Sequence, residues 1–351
     1  MTADDESRSM LERAWRRLAP RRVHGIAAVL LPFQAAGRVD WEGFERQVVR
    51  THAAGLDCAV NMDTGFGDLL TFAERCAVLD ATRRALGPGP GFYAGAYAES
   101  SDDPAPAYAR STAEIERRGA TPVIVQCRAM HAMDAATRAA LYARIAHATA
   151  AGAIGFELSP RFAPHGAIWD DETFARLLEI PELLGAKHSS LDRGRELARL
   201  AVRDRARPGF RIYTGNDLAI DMVAYGSDYL LGLASFAPDR FAERDRRLAT
   251  GDAAFLGLND SLQYLGNVAF RDPIPAYKHA AAQFLHLCGR LTGDGVHPKA
   301  PRRPGSERIL LLDCALRLGM VEDRDAALRE RVEPFLGEGS TVIDPRPSAS
   351  G

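Results

Sequence analysis

Ile154-Gly155-Phe156-Glu157-Leu158 and, one helix-type stretch later, Leu183-Leu184-Gly185-Ala186-Lys187 read as two strands of a parallel sheet. Each is a short, nearly continuous apolar run, as a strand buried on both faces requires. Six further runs share the pattern: Ile26 to Leu31, Asp57 to Asn61, Phe92 to Ala96, Pro122 to Gln126, Phe210 to Thr214 and Tyr229 to Leu233. Successive runs lie about 30 residues apart, the length of one strand-plus-helix unit. Helix signals fill the gaps: Asp40 is placed to cap a helix beginning at Trp41, and Gly55 and Gly119 stand where helices end before the second and fourth runs. Eight such units predict an α/β protein, a (β/α)8 TIM barrel with a C-terminal helical region. A doubly wound sheet would bring a glycine fingerprint after its first strand, and here that place holds Leu31-Pro32-Phe33-Gln34.

The expected organisation is an N-terminal helical arm over residues 1–22, the barrel over 23–238, the helical region over 239–338 and a loose tail over 339–351. The tail, Asp344-Pro345-Arg346-Pro347-Ser348-Ala349-Ser350-Gly351, has too little apolar surface to offset its ordering entropy. A hydrophobic content of 46% in 351 residues supports a substantial core. A net charge of −2, with both signs mixed along the chain, leaves no basic stripe for nucleic acid. Neither a secretory signal nor a membrane span is legible, so no membrane partner is expected. Five cysteines without a CxxC pair fit a reducing, cytoplasmic setting. The nine histidines form neither an i, i+4 pair nor an HExxH site, so no metal is expected, and no cofactor. No GxSxG elbow marks a serine nucleophile.

In such a barrel the chemistry gathers at the C-terminal ends of the strands. Lys187 ends the sixth run, and only Lys278 and Lys299 accompany it; the remainder of the 44 basic residues are arginine. A lysine kept in so arginine-biased a chain invites a chemical role, because a buried amine can lose its proton and attack a carbonyl carbon whereas a guanidinium cannot. A snorkelling or ion-paired lysine at a strand end is the competing reading. The second run leads into Asn61-Met62-Asp63-Thr64-Gly65-Phe66-Gly67-Asp68, whose N–H groups and Thr64 hydroxyl could bind a carboxylate, although Asp63 could be only a turn residue. Glu157 puts a carboxylate at or beside the mouth, and an ion pair with Lys187 or an arginine is its structural alternative. Tyr213-Thr214-Gly215-Asn216-Asp217 is a small polar turn against which a substrate could lie, with helix capping as the alternative for Asn216 and Asp217.

These segments together resemble the dihydrodipicolinate synthase and N-acetylneuraminate lyase family of class I pyruvate-type aldolase barrels. The resemblance runs from about Gly25 to Leu318 and rests on several segments in order. They are Ala28-Val29-Leu30-Leu31-Pro32-Phe33 with Gly37-Arg38-Val39-Asp40; Asp63-Thr64-Gly65 with Leu70-Thr71 and Glu74-Arg75; Leu184-Gly185-Ala186-Lys187-His188-Ser189-Ser190; Thr214-Gly215-Asn216-Asp217; and Gly226-Ser227-Asp228. It implies a lyase in which Lys187 forms a Schiff base with a 2-oxo acid such as pyruvate, while Thr64 and Gly65 bind the substrate carboxylate. It also implies a homo-oligomer, a dimer or tetramer. A dehydratase or hydratase using the same lysine, and a barrel that only binds small molecules, are the alternatives.

The departures are specific. Alignment on Pro160 puts Glu157 where the family carries its strand-five tyrosine, and Cys127-Arg128-Ala129-Met130 replaces the strand-four tyrosine loop. Asp63 replaces the first threonine of a pair, and Phe66 replaces a glutamate. The family's proton relay of tyrosine and threonine hydroxyls is therefore expected to be missing. Glu157, together with Asp63, is expected to act instead as general acid and base. Arg161 and His165, just past Pro160, are candidates to bind a second acidic or hydroxylated part of the substrate.

Overall fold

Each of the eight apolar runs forms a strand: β1 (Gly25–Ala28), β2 (Asp57–Val60), β3 (Phe92–Ala96), β4 (Ala120–Ile124), β5 (Ala153–Leu158), β6 (Leu183–Ser189), β7 (Arg211–Thr214) and β8 (Asp228–Leu231). The computed structural model describes residues 20–98 and 103–339. The arm expected over residues 1–22, apart from its last three residues, and the tail expected over 339–351, apart from residue 339, lie outside them. All neighbouring strands pair in parallel, and β1 pairs with β8 to close the barrel, Gly25 opposite Tyr229 and Ile26 opposite Leu230. Closure leaves no unpaired edge and buries both strand faces, which explains apolar runs without alternation.

Helices α1 (Trp41–Ala53), α2 (Phe72–Leu86), α3 (Ala105–Glu116), α4 (Ala135–His147), α5 (Asp171–Leu177) and α6 (Arg193–Ala206) follow the first six strands and their loops. Asp40 caps α1 by accepting the N–H of Gly43 at 2.9 Å, and Thr71 with Glu74 forms a reciprocal capping box on α2. Gly55 and Gly119 take positive φ, 94° and 70°, where α1 and α3 end. The β7–β8 connection departs from the repeat, because a 3-10 turn, Ile220–Tyr225, stands where a full helix was expected.

Beyond β8, the described residues fold into α7 (Pro238–Thr250), α8 (Ala254–Ala269), α9 (Tyr277–Leu287), α10 (Arg308–Arg317) and α11 (Arg324–Arg331). Helix α9 is buried along almost its whole length, including the polar Lys278, His279 and Gln283. Polar groups in so buried a helix must find partners, and those of Tyr277 and Lys278 find them at the C-terminal end of the barrel. No helix among the described residues is long and apolar enough to cross a membrane.

Candidate active site

Side chains alternate faces along a strand, so the register of β6 against β5 decides what surrounds Lys187. Phe156 stands opposite Lys187, and Glu157 stands opposite His188. Lys187 and Phe156 therefore share the barrel-facing side, with the ammonium 4.2 Å from the centre of the Phe156 ring. Among the described residues no hydrogen bond or ion pair holds that nitrogen. Burial lowers the Lys187 pKa to about 8, with Asp217 and Asp63 opposing the shift.

Ser189 is the next residue on the same face of β6. It is 1% exposed, and its hydroxyl finds no hydrogen-bond partner among the described residues. A buried hydroxyl without a partner costs about 1–3 kcal/mol. Gly215, just beyond β7, makes room for both: a Cβ there would fall 2.8 Å from Lys187 Cε and 1.9 Å from Ser189 Oγ. Asp217 follows, buried, its Oδ1 accepting the N–H of Leu233 at 2.8 Å. Burial raises its pKa to about 7, against the opposing hydrogen bond from Leu233 and the charge of Lys187.

The loop after β2 brings Asp63, Thr64 and Gly65 to the same end. Gly65, Phe66 and Gly67 spend their N–H groups on Met62 and Asp63 carbonyls, so the loop is self-bonded and meets other groups mainly through Asp63 and Thr64. Lys278 donates to Asp63 Oδ1 at 2.9 Å, and Tyr277 donates to Asp63 Oδ2 at 2.8 Å. The Thr64 hydroxyl lies 2.8 Å from that of Tyr277. Burial pushes the Asp63 carboxyl up, but the charge and hydrogen bond of Lys278 outweigh it and hold Asp63 below the usual carboxylate range.

Glu157, expected to act as general acid and base, does not share the face of Lys187. Its carboxylate is bound on the outer face of the sheet, to His188 Nδ1 and to the N–H of Trp169 at 2.8 Å, with Arg199 Nε 3.6 Å away. Phe156, which has no titratable group, is the strand-five residue that meets Lys187. Asn216 is also not at the ligand face: its Nδ2 donates to the buried Glu196 at 2.5 Å and its Oδ1 accepts from Leu191 at 2.6 Å. Arg161 is exposed and pairs with Asp272 at 3.0 Å. His165 is half-buried in the loop after β5; burial lowers its pKa, and Asp68 and Asp63 oppose this.

The sequence gives Tyr277, Lys278 and Ser189 no role of their own, and leaves Asp217 between a substrate contact and a helix cap. Lys278 carried a usable signal, since scarcity singles it out as well as it singles out Lys187. Tyr277 carried none, because only the path of the C-terminal helices brings it to Thr64. Two cavities, of about 830 and 450 Å³, lie elsewhere: one is lined by Arg21, Arg203, Arg211 and Asp228, the other by His131, Arg138, Trp169 and Arg195. Neither is lined by Lys187, which is 6% exposed. Among the described residues no group of three or more His, Cys, Asp or Glu is arranged to hold a metal ion.

Residues 2–336 match the family described as "Protein of unknown function (DUF993)". The 4-hydroxy-tetrahydrodipicolinate synthase of Neisseria gonorrhoeae is 33% identical over 123 residues, which is 34% of this chain and 41% of that enzyme, so the match spans about two fifths of that relative's length. The enzyme of the same name from Synechococcus sp. is 27% identical over 322 residues, covering 87% of this chain and 95% of that one. Among solved structures, dihydrodipicolinate synthase from Thermotoga maritima superposes with a TM-score of 0.72 at 18% identity, covering 86% of this chain and all of that one. YagE of E. coli K12, a prophage protein of the dihydrodipicolinic acid synthase family solved with pyruvate, gives 0.73 at 16% identity, covering 85% and 99%. The chain shares the fold of these barrels.

Proposed function

The chain belongs to the DUF993 family, and on that footing we propose that Lys187 is the Schiff-base nucleophile of a metal-independent class I lyase acting on a 2-oxo acid such as pyruvate. One observation carries the reading: a buried, unpaired amine with its pKa lowered to about 8 stands on the barrel face of β6, next to the unpartnered hydroxyl of Ser189. An ion-paired structural lysine would have its partner, and a snorkelling one would reach water.

The chemistry follows from these groups. Neutral Nζ attacks the 2-oxo carbon, the resulting carbinolamine loses water, and the protonated imine draws electrons from the neighbouring carbon. Carbon–carbon cleavage or formation at that carbon then needs only proton transfers. Ser189 is positioned to donate to the oxygen formed at the attacked carbon. Asp217, with a pKa of about 7, can give or take a proton beside the amine near neutrality. The substrate carboxylate is assigned to the loop at Thr64 and Gly65, through the Thr64 backbone N–H, since the Gly65 N–H is spent on Met62 and the Thr64 hydroxyl hydrogen on Tyr277, and His165 to the substrate's distal part. A cytoplasmic homo-oligomer remains the expected setting.

Borohydride reduction in the presence of pyruvate, read by intact mass and peptide mapping, tests the proposal. The expected result is one reduced adduct on Lys187 that is absent from Lys187→Ala. An adduct elsewhere, or none with pyruvate and related 2-oxo acids, refutes it.

A further inference from the structure

Hydrogen-bond direction in the Thr64–Tyr277–Asp63–Lys278 chain is fixed by what each group can do. An ammonium only donates and a carboxylate only accepts. Lys278 donates to Asp63 Oδ1, and the single hydrogen of Tyr277 goes to Asp63 Oδ2. Tyr277 therefore has no hydrogen left for Thr64, and the 2.8 Å contact between the two hydroxyls is one in which Thr64 donates. Every hydrogen in the chain points toward Asp63, and the Thr64 oxygen keeps only lone pairs for a further partner.

We propose that Thr64, Tyr277 and Asp63 form a directed proton path that takes a proton from the substrate at Thr64, with Lys278 holding its far end ionised. This rests on the Schiff-base reading of Lys187, and it restores a tyrosine–threonine hydroxyl pair from a different part of the chain, α9 rather than β5. In cleavage, the O–H bond of the substrate hydroxyl breaks and its proton passes to Thr64 Oγ. Thr64 passes its own proton to Tyr277, and Tyr277 passes its own to Asp63 Oδ2. The substrate oxygen becomes an aldehyde carbonyl, the carbon–carbon bond pair moves to the enamine, and the iminium nitrogen is neutralised. Protonation of the enamine carbon runs the path backward and restores carboxylate and iminium, so no external oxidant or reductant enters.

The surroundings suit a path rather than a resting charge. Burial and the charge of Asp63 push the Tyr277 phenol well above its ordinary value, so the hydroxyl conducts a proton without lingering as a phenolate. Its ring is stacked on Phe270 at 4.3 Å and meets Phe162 edge-on at 6.2 Å, which fixes the hydroxyl in place. Gly232 permits the approach, since a Cβ there would lie 2.9 Å from Thr64 Oγ and 3.0 Å from the Tyr277 ring. Tyr277, Asp63 and Lys278 act through Thr64 and are positioning residues. The titratable groups facing Asp63 are Lys278, Tyr277, Lys187, Asp217, His165 and Tyr97.

Exchange of the pyruvate methyl hydrogens in D2O, followed by NMR, tests the path without an aldehyde partner, because enamine formation uses the same proton transfer. Tyr277→Phe keeps the ring contacts and removes the hydroxyl. Exchange is expected to fall by about 100-fold or more, the usual contribution of a positioned acid–base group, while borohydride still fixes pyruvate to Lys187. Lys278→Met is expected to move the acid limb of the exchange–pH profile to higher pH, since Asp63 loses the cation that lowers its pKa. Exchange by Tyr277→Phe within threefold of the parent, or an unmoved acid limb in folded Lys278→Met, overturns the path alone. A parent protein that forms no imine overturns the Schiff-base reading and the path with it.

Discussion

The depressed Lys187 pKa has a kinetic consequence that can be measured directly. Imine formation requires the neutral amine. With a pKa of about 8, roughly one Lys187 in ten is neutral at pH 7, against about one in three thousand for a free lysine at 10.5. The first-order rate of borohydride trapping at saturating pyruvate should therefore rise about tenfold per pH unit below 7, bend near 8 and level off above it. The perturbation that tests the cause is Asp217→Asn. Burial is the largest influence and lowers the pKa, while the Asp217 charge raises it. Removing that charge should move the bend below that of the parent, and the shift should show on the alkaline side of pH 7, where Asp217 is mostly ionised in the parent. The assay is single-turnover trapping read by intact mass from pH 6 to about 10. A trapping rate that keeps climbing through pH 10, or a bend that moves upward in Asp217→Asn, would refute the argument.

Ser189→Ala should separate function from stability: deleting an unpartnered buried hydroxyl is expected to leave the melting temperature unchanged or slightly raised, while KM for the 2-oxo acid increases several-fold; a lower melting temperature with unchanged KM counts against a ligand role. Gly215→Ala places a methyl against Lys187 Cε and Ser189 Oγ, so trapping should fall more than tenfold and stability by about 1–3 kcal/mol, checked by mass and denaturant melts. Glu157→Gln disturbs its contacts with His188 and Arg199 on the outer face; it is expected to cost about 1–3 kcal/mol of stability and to leave the pH profile of methyl exchange where it was, whereas a displaced profile would return Glu157 to the chemistry.

How much of this was legible varies with the range of the interaction. The Asp40 cap and the helix-ending glycines at 55 and 119 were readable because the groups involved lie within a few residues of one another. Thr64 and Asp63 were readable as a loop at a strand end, although their partners were not. The facing of Glu157 was not readable, because residues adjacent in sequence along a strand point to opposite faces and only the register of β5 against β6 decides which one meets Lys187. Asn216 spends its amide on Glu196 of α6, and Glu157 spends its carboxylate on His188 of β6 and on Trp169 in the loop before α5.

Eight apolar runs at near-regular spacing are enough to imply a closed parallel barrel, because chain-local periodicity and strand burial are written residue by residue, and a scarce lysine at the end of the sixth run marks the amine. Which side chains surround that amine is a matter of register between β5 and β6 and of where α9 comes to rest. Tyr277 and Lys278 lie more than two hundred residues from Asp63 in the chain. No local pattern encodes such a meeting; it exists only once the C-terminal helices have packed over the barrel and a buried tyrosine and lysine have had to find partners there.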